Sequence, residues 1–385
     1  MQLLNPAFMY AATWSFVLLL YSLRLSELLE PLRLSTVVLV LGTSLSFILG
    51  WVLECLPNAG WLATLKLDTT ALGAALSSPR VARRLKTIWV IFALGISFEV
   101  VYFQGIPFLG LIGIGPSILY SEFGIHGFHG FVNALFFAGC IVQFTRIMLG
   151  GSKGWVLLGV VSVSYPVLVI SRQVLVSLML QYLIVYFSIK RPSPMVFVRA
   201  GILFLVTILI FGYVGDLRSG RDAIIQLGSP TFEYPEWLPS AFIWFYIYLC
   251  TPLNNVNYNI DITPNYFPLE TAGTLIPSFA RDAFMDAFGG RRQWDLVTQN
   301  LNVSSLLQSL LTDFGIIGSI VFTLLCGFCF SMLLRRANKS PGAFFAVVII
   351  LHGIALSFFA NLLFQLVFIF EILAVTWILS RERGR

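Results

Sequence analysis

The stretch with the clearest chemical potential is Asp216-Leu-Arg218-Ser-Gly-Arg221-Asp222, which places two arginines and two aspartates within seven residues. A guanidinium group is planar, stays charged and donates two parallel hydrogen bonds, which suits it to phosphate. We therefore expect Arg218 and Arg221 to bind a diphosphate at a membrane boundary, after an apolar segment that ends at Gly215. The alternative is a charge cluster that ends a helix and pairs with its own aspartates.

The surrounding region 216–300 carries five arginines and no lysine. Arg281 is a further candidate for phosphate binding. Arg291 and Arg292 are expected instead to be solvated or to touch lipid headgroups. Since all the basic residues of this region are arginines, we expect an anionic substrate beside a lipid-buried domain.

Arg172 lies at a tight corner, Ser171-Arg172-Gln173, between two apolar segments. We expect this corner at the same depth as Arg218, so the two arginines could share one anion. The alternative is a side chain that only reaches for the membrane surface.

The aromatic run 243–248 precedes Thr251-Pro-Leu-Asn-Asn255. Ring faces cover the apolar faces of sugars and amides bind hydroxyl groups, so Tyr248, Asn254 and Asn255 are candidate sugar-binding residues. An aromatic belt at the membrane interface, followed by a turn, would explain the same residues.

Asp313 lies at the start of an apolar segment and allows two interpretations. As a carboxylate it could take a proton from a substrate. Asp and Thr at such a position also cap helices by accepting hydrogen bonds from unpaired backbone amides, and capping is the favoured interpretation.

No metal or cofactor site is predicted. His126 and His129 have a spacing that permits zinc, with Glu122 nearby, but there is no HExxH pattern and no further ligand set. No nucleotide-binding signature is present. Glu99 and Glu371 lie within apolar segments, where a carboxyl group is costly, so each is expected to face a polar cavity or a polar partner.

The composition indicates the class of protein. Of 385 residues, 58% are hydrophobic and 11% are charged, and the mean hydropathy is +0.87. A soluble domain needs roughly twice that charged fraction, so the chain is predicted to be an all-α polytopic membrane protein. The net charge of +6 comes mostly from basic residues beside apolar segments, which indicates membrane topology rather than nucleic-acid binding.

Ten apolar segments are long enough to be predicted as membrane spans. They are 6–23, 35–53, 87–104, 124–149, 152–170, 173–189, 197–215, 312–334, 343–361 and 364–380. The segment 240–250 is predicted as a short interfacial or re-entrant helix, which leaves the count at ten to eleven. The whole chain, 1–385, is expected to form one integral membrane domain, with the loop region 216–311 capping a cavity.

Charge predicts the orientation. Sixteen of the 24 Lys and Arg residues fall in the loops on one side of the predicted spans or in the C-terminal tail, and the remaining eight, all Arg, fall on the other side. Basic loops stay in the cytoplasm. Both termini are therefore expected in the cytoplasm, and the arginine-rich loop outside it.

Taken together and in order, several short landmarks resemble the bacterial O-antigen polymerases, the Wzy family. They are Asn5-Pro6, Tyr21-Ser22, Gly105-Ile-Pro-Phe108, Tyr120, Phe123-Gly-Ile-His-Gly127, Ser171-Arg172-Gln173, Gly215-Asp-Leu-Arg218, Thr251-Pro-Leu-Asn-Asn255, Asn302-Val-Ser-Ser305, Asp313-Phe-Gly-Ile316 and Ser357-Phe-Phe-Ala-Asn361. One motif of some members, an arginine followed by glycine eleven positions later, is missing from the arginine-rich loop.

The resemblance implies a GT-C-like glycosyltransferase of the bacterial inner membrane, with a periplasmic active site and no cofactor. Its substrates would be undecaprenyl-diphosphate-linked oligosaccharides, as donor and as acceptor, and its partners membrane lipid and a chain-length-determining co-polymerase. Diphosphate would be held by Arg172, Arg218, Arg221 and Arg281, and Asp216, or else Asp313, would act as general base. A flippase or transporter of lipid-linked oligosaccharides and an O-antigen ligase are the alternatives.

Overall fold

The computed structural model describes most of the chain. The described residues are 4–56, 68–119, 122–151, 153–190, 193–288, 294–298, 301, 303, 305–337 and 340–380, without the side chains of 211, 214, 217–219, 278 and 279. Tyr120, Arg291, Arg292, Asn302 and the side chain of Arg218 therefore lie outside the described part.

The described residues form helices and connecting loops, and no strand occurs among them. The helices are α1 (Pro6–Ser22), α2 (Leu34–Cys55), α3 (Thr69–Leu76), α4 (Pro79–Phe103), α5 (Pro107–Leu111), α6 (Phe128–Met148), α7 (Trp155–Leu168), α8 (Arg172–Ile189), α9 (Pro194–Ser219), α10 (Arg221–Gly228), α11 (Ala241–Tyr258), α12 (Leu269–Ala272), α13 (Ser278–Ala287), α14 (Leu306–Ala337), α15 (Pro341–Ala355) and α16 (Leu366–Leu379).

Five helices are long and apolar enough to cross a membrane, namely α2, α4, α6, α8 and α14. Five shorter apolar helices, α1, α7, α15, α16 and the first part of α9, accompany them. Each of the ten predicted segments overlaps one of these helices. The prediction of an α-helical, multi-pass membrane protein is confirmed.

Two helices extend beyond the predicted segments. The helix α9 continues past Gly215 to Ser219, and the chain turns at Gly220, whose φ is +83°. Asp216 and Arg218 are thus in the last turn of a helix. The segment 240–250 belongs to the longer helix α11, which continues through Pro252 to Tyr258.

The buried apolar side chains form two clusters. One lies among α4, α6, α7, α8, α15 and α16. The other lies among α1, α2, α11 and α14, and it reaches Ile354 near the end of α15. Since α15 contributes to both clusters, it joins the two halves of the bundle.

Helices α2 and α14 run parallel, and their backbones approach closely. A Cβ atom on Gly50 would overlap the carbonyl oxygen of Leu324, and one on Gly327 would overlap that of Phe47. Across the interface between the two helices, the hydroxyl groups of Ser46 and Thr323 are hydrogen-bonded at 2.7 Å. Small residues four positions apart let helix backbones approach in this way inside a membrane.

A cap covers one side of the bundle. We define the cap as residues 220–305, which include α10 to α13. It binds the connection after α1 through the Ser26 hydroxyl, which donates to the carbonyl of Gly228 at 2.6 Å. It also binds the connection between α15 and α16, where the Thr274 hydroxyl donates to the carbonyl of Phe364 at 2.7 Å. The side that the cap covers is called the cap side below.

Candidate functional site

An apolar cleft lies between α7, α8 and α9, with α5 at its edge. Its volume is about 440 Å³. The lining residues extend along α7 from Trp155 to Val167, a distance of roughly 18 Å at the rise of an α-helix. The cleft is therefore long enough for an extended hydrocarbon chain.

The few polar groups of the cleft are already hydrogen-bonded. The hydroxyls of Ser162 and Tyr182 bond to each other at 2.7 Å. The Thr207 hydroxyl donates to the carbonyl of Leu203, one turn back in its own helix, at 2.8 Å. With these groups satisfied, the remaining wall is hydrocarbon and favours an apolar ligand.

The helices that line the cleft carry two of the predicted arginines at their cap-side ends. Arg172, partly buried, is the first residue of α8, directly after the lining residue Ile170 and Ser171. On α9, Arg218 follows the lining residue Ile210 by about two helical turns. The structure thus brings the backbone positions of both arginines to the same end of one cleft.

Asp216 ties α9 to the cap. Its Oδ1 accepts a hydrogen bond of 2.5 Å from the hydroxyl of Ser240, just before α11. Gly212, one turn earlier, packs against Ala241 so closely that a side chain there would overlap it. Sequence reasoning missed Ser240, whose partner lies 24 positions away.

Arg221 contacts the backbone of the cap. Its Nη2 donates to the carbonyls of Pro235, Glu236 and Leu238 at 3.0, 3.1 and 3.2 Å, and its guanidinium lies over the ring of Tyr234. Burial raises the pKa of Tyr234, whose hydroxyl donates to a neighbouring carbonyl at 2.7 Å. Arg221 therefore stabilises the conformation of the cap segment 234–239.

Arg281 also binds within the cap. Its Nε donates to the carbonyl of Gly273 at 3.0 Å, and its Nη2 donates to that of Ile276 at 3.1 Å. The two arginines that were expected to bind phosphate from the cap thus donate to backbone carbonyl groups.

Asp313 is a helix cap, although not for its own helix. It is fully buried, and its carboxylate accepts from the backbone amides of Glu270 at 2.9 Å and Thr271 at 2.6 Å, at the start of α12. Two residues later the helix is kinked at Gly315, whose φ is +66°. The carboxylate is thus used to fix the cap on α14.

The predicted amide pair is also structural. Asn254 is fully buried, accepts from the Tyr21 hydroxyl and the Glu30 amide, and donates to the carbonyl of Leu28. Asn255 is fully buried and binds the backbone of the cap at residues 297, 301 and 303. Sugar binding by these amides is not supported, because both hold loops.

Tyr248 is part of an aromatic trio that is partly exposed. Its ring is 4.8 Å from that of Trp244 and 6.0 Å from that of Phe359, which stacks on it from the connection between α15 and α16. Trp244 is one turn from Ser240 on α11. Two rings of the trio, those of Trp244 and Tyr248, therefore lie one and two turns along α11 from the Asp216 contact.

No group of three or more potential metal ligands occurs among the described residues. His129, a residue of the predicted histidine pair, bonds through Nδ1 to the buried carboxylate of Glu99 at 2.9 Å. Glu99 also accepts from the Ile125 amide at 3.0 Å. The expected polar partner of Glu99 is thus present.

Comparisons with family models, with curated proteins and with solved structures find no match to this chain. Its function must therefore be argued from the site.

Proposed function

We propose that this protein is a glycosyltransferase that takes its donor from a polyprenyl diphosphate, joining lipid-linked oligosaccharide repeat units in the manner of an O-antigen polymerase. The observation that supports it is the apolar cleft of α7, α8 and α9, whose cap-side end carries Arg172 and Arg218. A hydrocarbon slot that ends at two guanidinium-bearing residues fits a lipid with an anionic head.

In this proposal, the polyprenyl chain enters the cleft from the surrounding lipid. Several lining side chains, including Val163, Val206 and Ile210, are exposed on the outside of the bundle. The chain would replace membrane lipid along the hydrocarbon wall. Such a ligand gains van der Waals contacts with the wall, and little polar surface has to be desolvated for it to bind.

The diphosphate is assigned to Arg172 and Arg218 alone. Diphosphate leaves readily once its developing charge is stabilised by fixed donors. Arg221 and Arg281 support that site indirectly, because they hold the cap that contacts the end of α9.

Asp216 is the preferred general base, since it lies in the same helical turn as Arg218 and is only partly buried. Asp313 is less suitable because both of its carboxylate oxygens accept hydrogen bonds from backbone amides. The aromatic trio of Trp244, Tyr248 and Phe359 offers ring faces to the sugars.

The test uses purified protein in liposomes with a lipid-linked oligosaccharide. Gly159 lines the cleft, and no atom lies within 4 Å of a Cβ added there. The variant Gly159→Phe should fill the cleft and lower the formation of longer glycans by at least about tenfold, equivalent to about 1.4 kcal/mol of binding.

The matched control is Gly201→Phe on α9, where an added Cβ also meets no neighbour and which is not among the cleft-lining residues. It should retain activity. Equal activity of both variants would exclude the cleft as the lipid site, and no lengthening of the oligosaccharide by wild-type protein would reject the glycosyltransferase. In addition, Arg218→Ala should abolish the polymer while the protein stays in the membrane.

A transporter of lipid-linked oligosaccharides is the second candidate, because a polar group of Gln181, His352 and Glu371 lies inside the bundle. Charged and polar side chains in the membrane often mark transport pathways. Movement of the lipid-linked sugar across the liposome membrane, without new glycosidic bonds, would favour this function over the proposed one.

A further inference from the structure

Three polar side chains from three different helices meet inside the apolar cluster of α8, α15 and α16. The Nε2 atom of Gln181 is 2.9 Å from Oε1 of Glu371 and 3.3 Å from Nδ1 of His352. Gln181 and Glu371 are fully buried and His352 is 1% exposed. We call these three residues the buried triad.

The surroundings of the triad are apolar. The imidazole ring of His352 stacks on the ring of Phe368, with 5.2 Å between the ring centroids. The ring of Phe137 on α6 lies 6.5 Å from the same imidazole. Next to the imidazole, Gly353 packs so closely on Phe368 and Leu363 that a side chain would overlap them. A charge at this position would have little solvation.

The other polar groups near Glu371 do not supply a positive charge. Cys140 of α6 is a buried neighbour, and a thiol carries no positive charge in either of its protonation states. Arg84 of α4 reaches α16, but at Trp377 and Ser380 near the opposite end of that helix. Of the three triad residues, His352 alone has a basic side chain.

The hydrogen-bond geometry decides where a proton resides. A charged imidazolium would carry a hydrogen on Nδ1, facing the Nε2 of Gln181, which is itself a donor. His352 is therefore neutral. An ionised Glu371 would then be an unpaired charge in an apolar interior, which costs several kcal/mol.

The opposite orientation of the Gln181 amide leads to the same protonation of Glu371. Its oxygen would then face Oε1 of Glu371, and two oxygens at 2.9 Å need a hydrogen between them. We propose that Gln181, His352 and Glu371 form an intramembrane proton-binding site in which the carboxyl group of Glu371 holds the proton.

The atoms of the triad that lack a protein partner are Gln181 Oε1, His352 Nε2 and Glu371 Oε2. With Glu371 protonated, they amount to two donors and one acceptor. The protonated form of Glu371 thus keeps a balance of donors and acceptors within the triad.

The site links three helices whose cap-side ends carry other features of the molecule. Gln181 is about 13 Å along α8 from Arg172, and His352 and Glu371 flank the connection that carries Phe359. Loss of the proton would leave an uncompensated charge between α8, α15 and α16 and weaken their packing.

The test is infrared spectroscopy of the purified full chain in lipid nanodiscs at neutral pH. The spectrum of wild-type protein minus that of Glu371→Gln should contain the band of a protonated carboxylic acid, shifted in heavy water. The control Glu99→Gln removes another buried carboxyl, one that is paired with His129, and should leave that band in place. Loss of a carboxylate band from Glu371→Gln instead would overturn the proposal.

A second variant covers the case in which Glu371→Gln does not fold. Gln181→Leu removes the amide bonded to Glu371 but keeps the carboxyl, so the protonated-acid band should persist and shift. A spectrum without any change in that band would contradict the site. The measurement needs no substrate, and it is therefore independent of the proposed glycosyltransferase activity.

Discussion

The helix pair α2–α14 and the cleft of α7, α8 and α9 are opposite solutions to packing in a membrane. In the pair, Gly50 and Gly327 let the backbones touch, and Ser46 bonds to Thr323 across the interface. In the cleft, bulky side chains leave a space of about 440 Å³ between the helices.

The difference shows which part of the bundle is fixed and which can exchange lipid. Helices in lipid gain little from burying apolar surface against each other, so stable association depends on close contact and interhelical hydrogen bonds. The α2–α14 pair has both. The cleft has an apolar wall that lipid can solvate equally well, so its occupant can change.

The largest effect is expected from breaking the close contact. Gly327→Leu would force a side chain into the carbonyl oxygen of Phe47, and backbone cannot move aside as a side chain can. The cost should exceed the about 1–3 kcal/mol of an ordinary overpacked core. Yield of monodisperse protein after extraction should fall sharply, and a yield equal to that of wild type would show that the helices are less close than described.

A slightly smaller effect is expected at the other end of the same pair. The guanidinium of Arg335 on α14 pairs with the carboxylate of Glu54 on α2, which is 2% exposed and also accepts from Ser331. Arg335→Ala removes this cation from a buried carboxylate, and the cost should be below the about 3–5 kcal/mol of a fully buried pair, because the Arg335 side chain is 35% exposed. Thermal unfolding in detergent measures this loss, and the double variant with Glu54→Gln should recover part of it.

The cap gives a third prediction, because Asp313 fixes it to α14. Asp313→Asn replaces one carboxylate oxygen by an NH₂ group, which cannot accept from the amides of Glu270 and Thr271. We expect a loss of about 1–3 kcal/mol and faster proteolysis of the cap. Normal stability together with lost activity would instead favour the catalytic role first considered for this residue.

The smallest effect sharpens the contrast between the two regions. Gly159→Ala lies in the cleft, where an added Cβ has no neighbour within 4 Å. Alanine is the better helix former by about 1 kcal/mol, so the variant should be equal or slightly more stable than wild type. A thermal transition well below that of wild type would mean that the cleft closes in solution.

The positions of the apolar helices could be predicted from the sequence, because spans of lipid-exposed helix require long apolar runs. The α2–α14 contact could not, since its small residues, such as Gly50 and Gly327, are separated by most of the chain and are recognisable only as a pair. The hydrogen bonds that fix the cap also join residues far apart in the sequence, so they could not be predicted either. Asp313 and its two amide donors are more than 40 positions apart.

The candidate site was predicted in part. Guanidinium groups bind phosphate and carbonyl oxygens with the same donors, so the sequence alone cannot separate Arg172 and Arg218 from Arg221 and Arg281. The structure adds the contacts of Arg221 and Arg281 with cap carbonyls, which the sequence does not contain. Glu371 was expected to need a polar partner, but Gln181 and His352 could be identified as its partners only after folding.

The helix α7 contains 14 residues, which rise about 21 Å, while the hydrocarbon layer of a bilayer is about 30 Å thick. Such a mismatch is relieved by thinning of the membrane beside the short helix. The bilayer should therefore dip along this flank of the protein. A lipid with a long, flexible tail tolerates that deformation better than phospholipids with two ordered chains, so it would collect at the entrance.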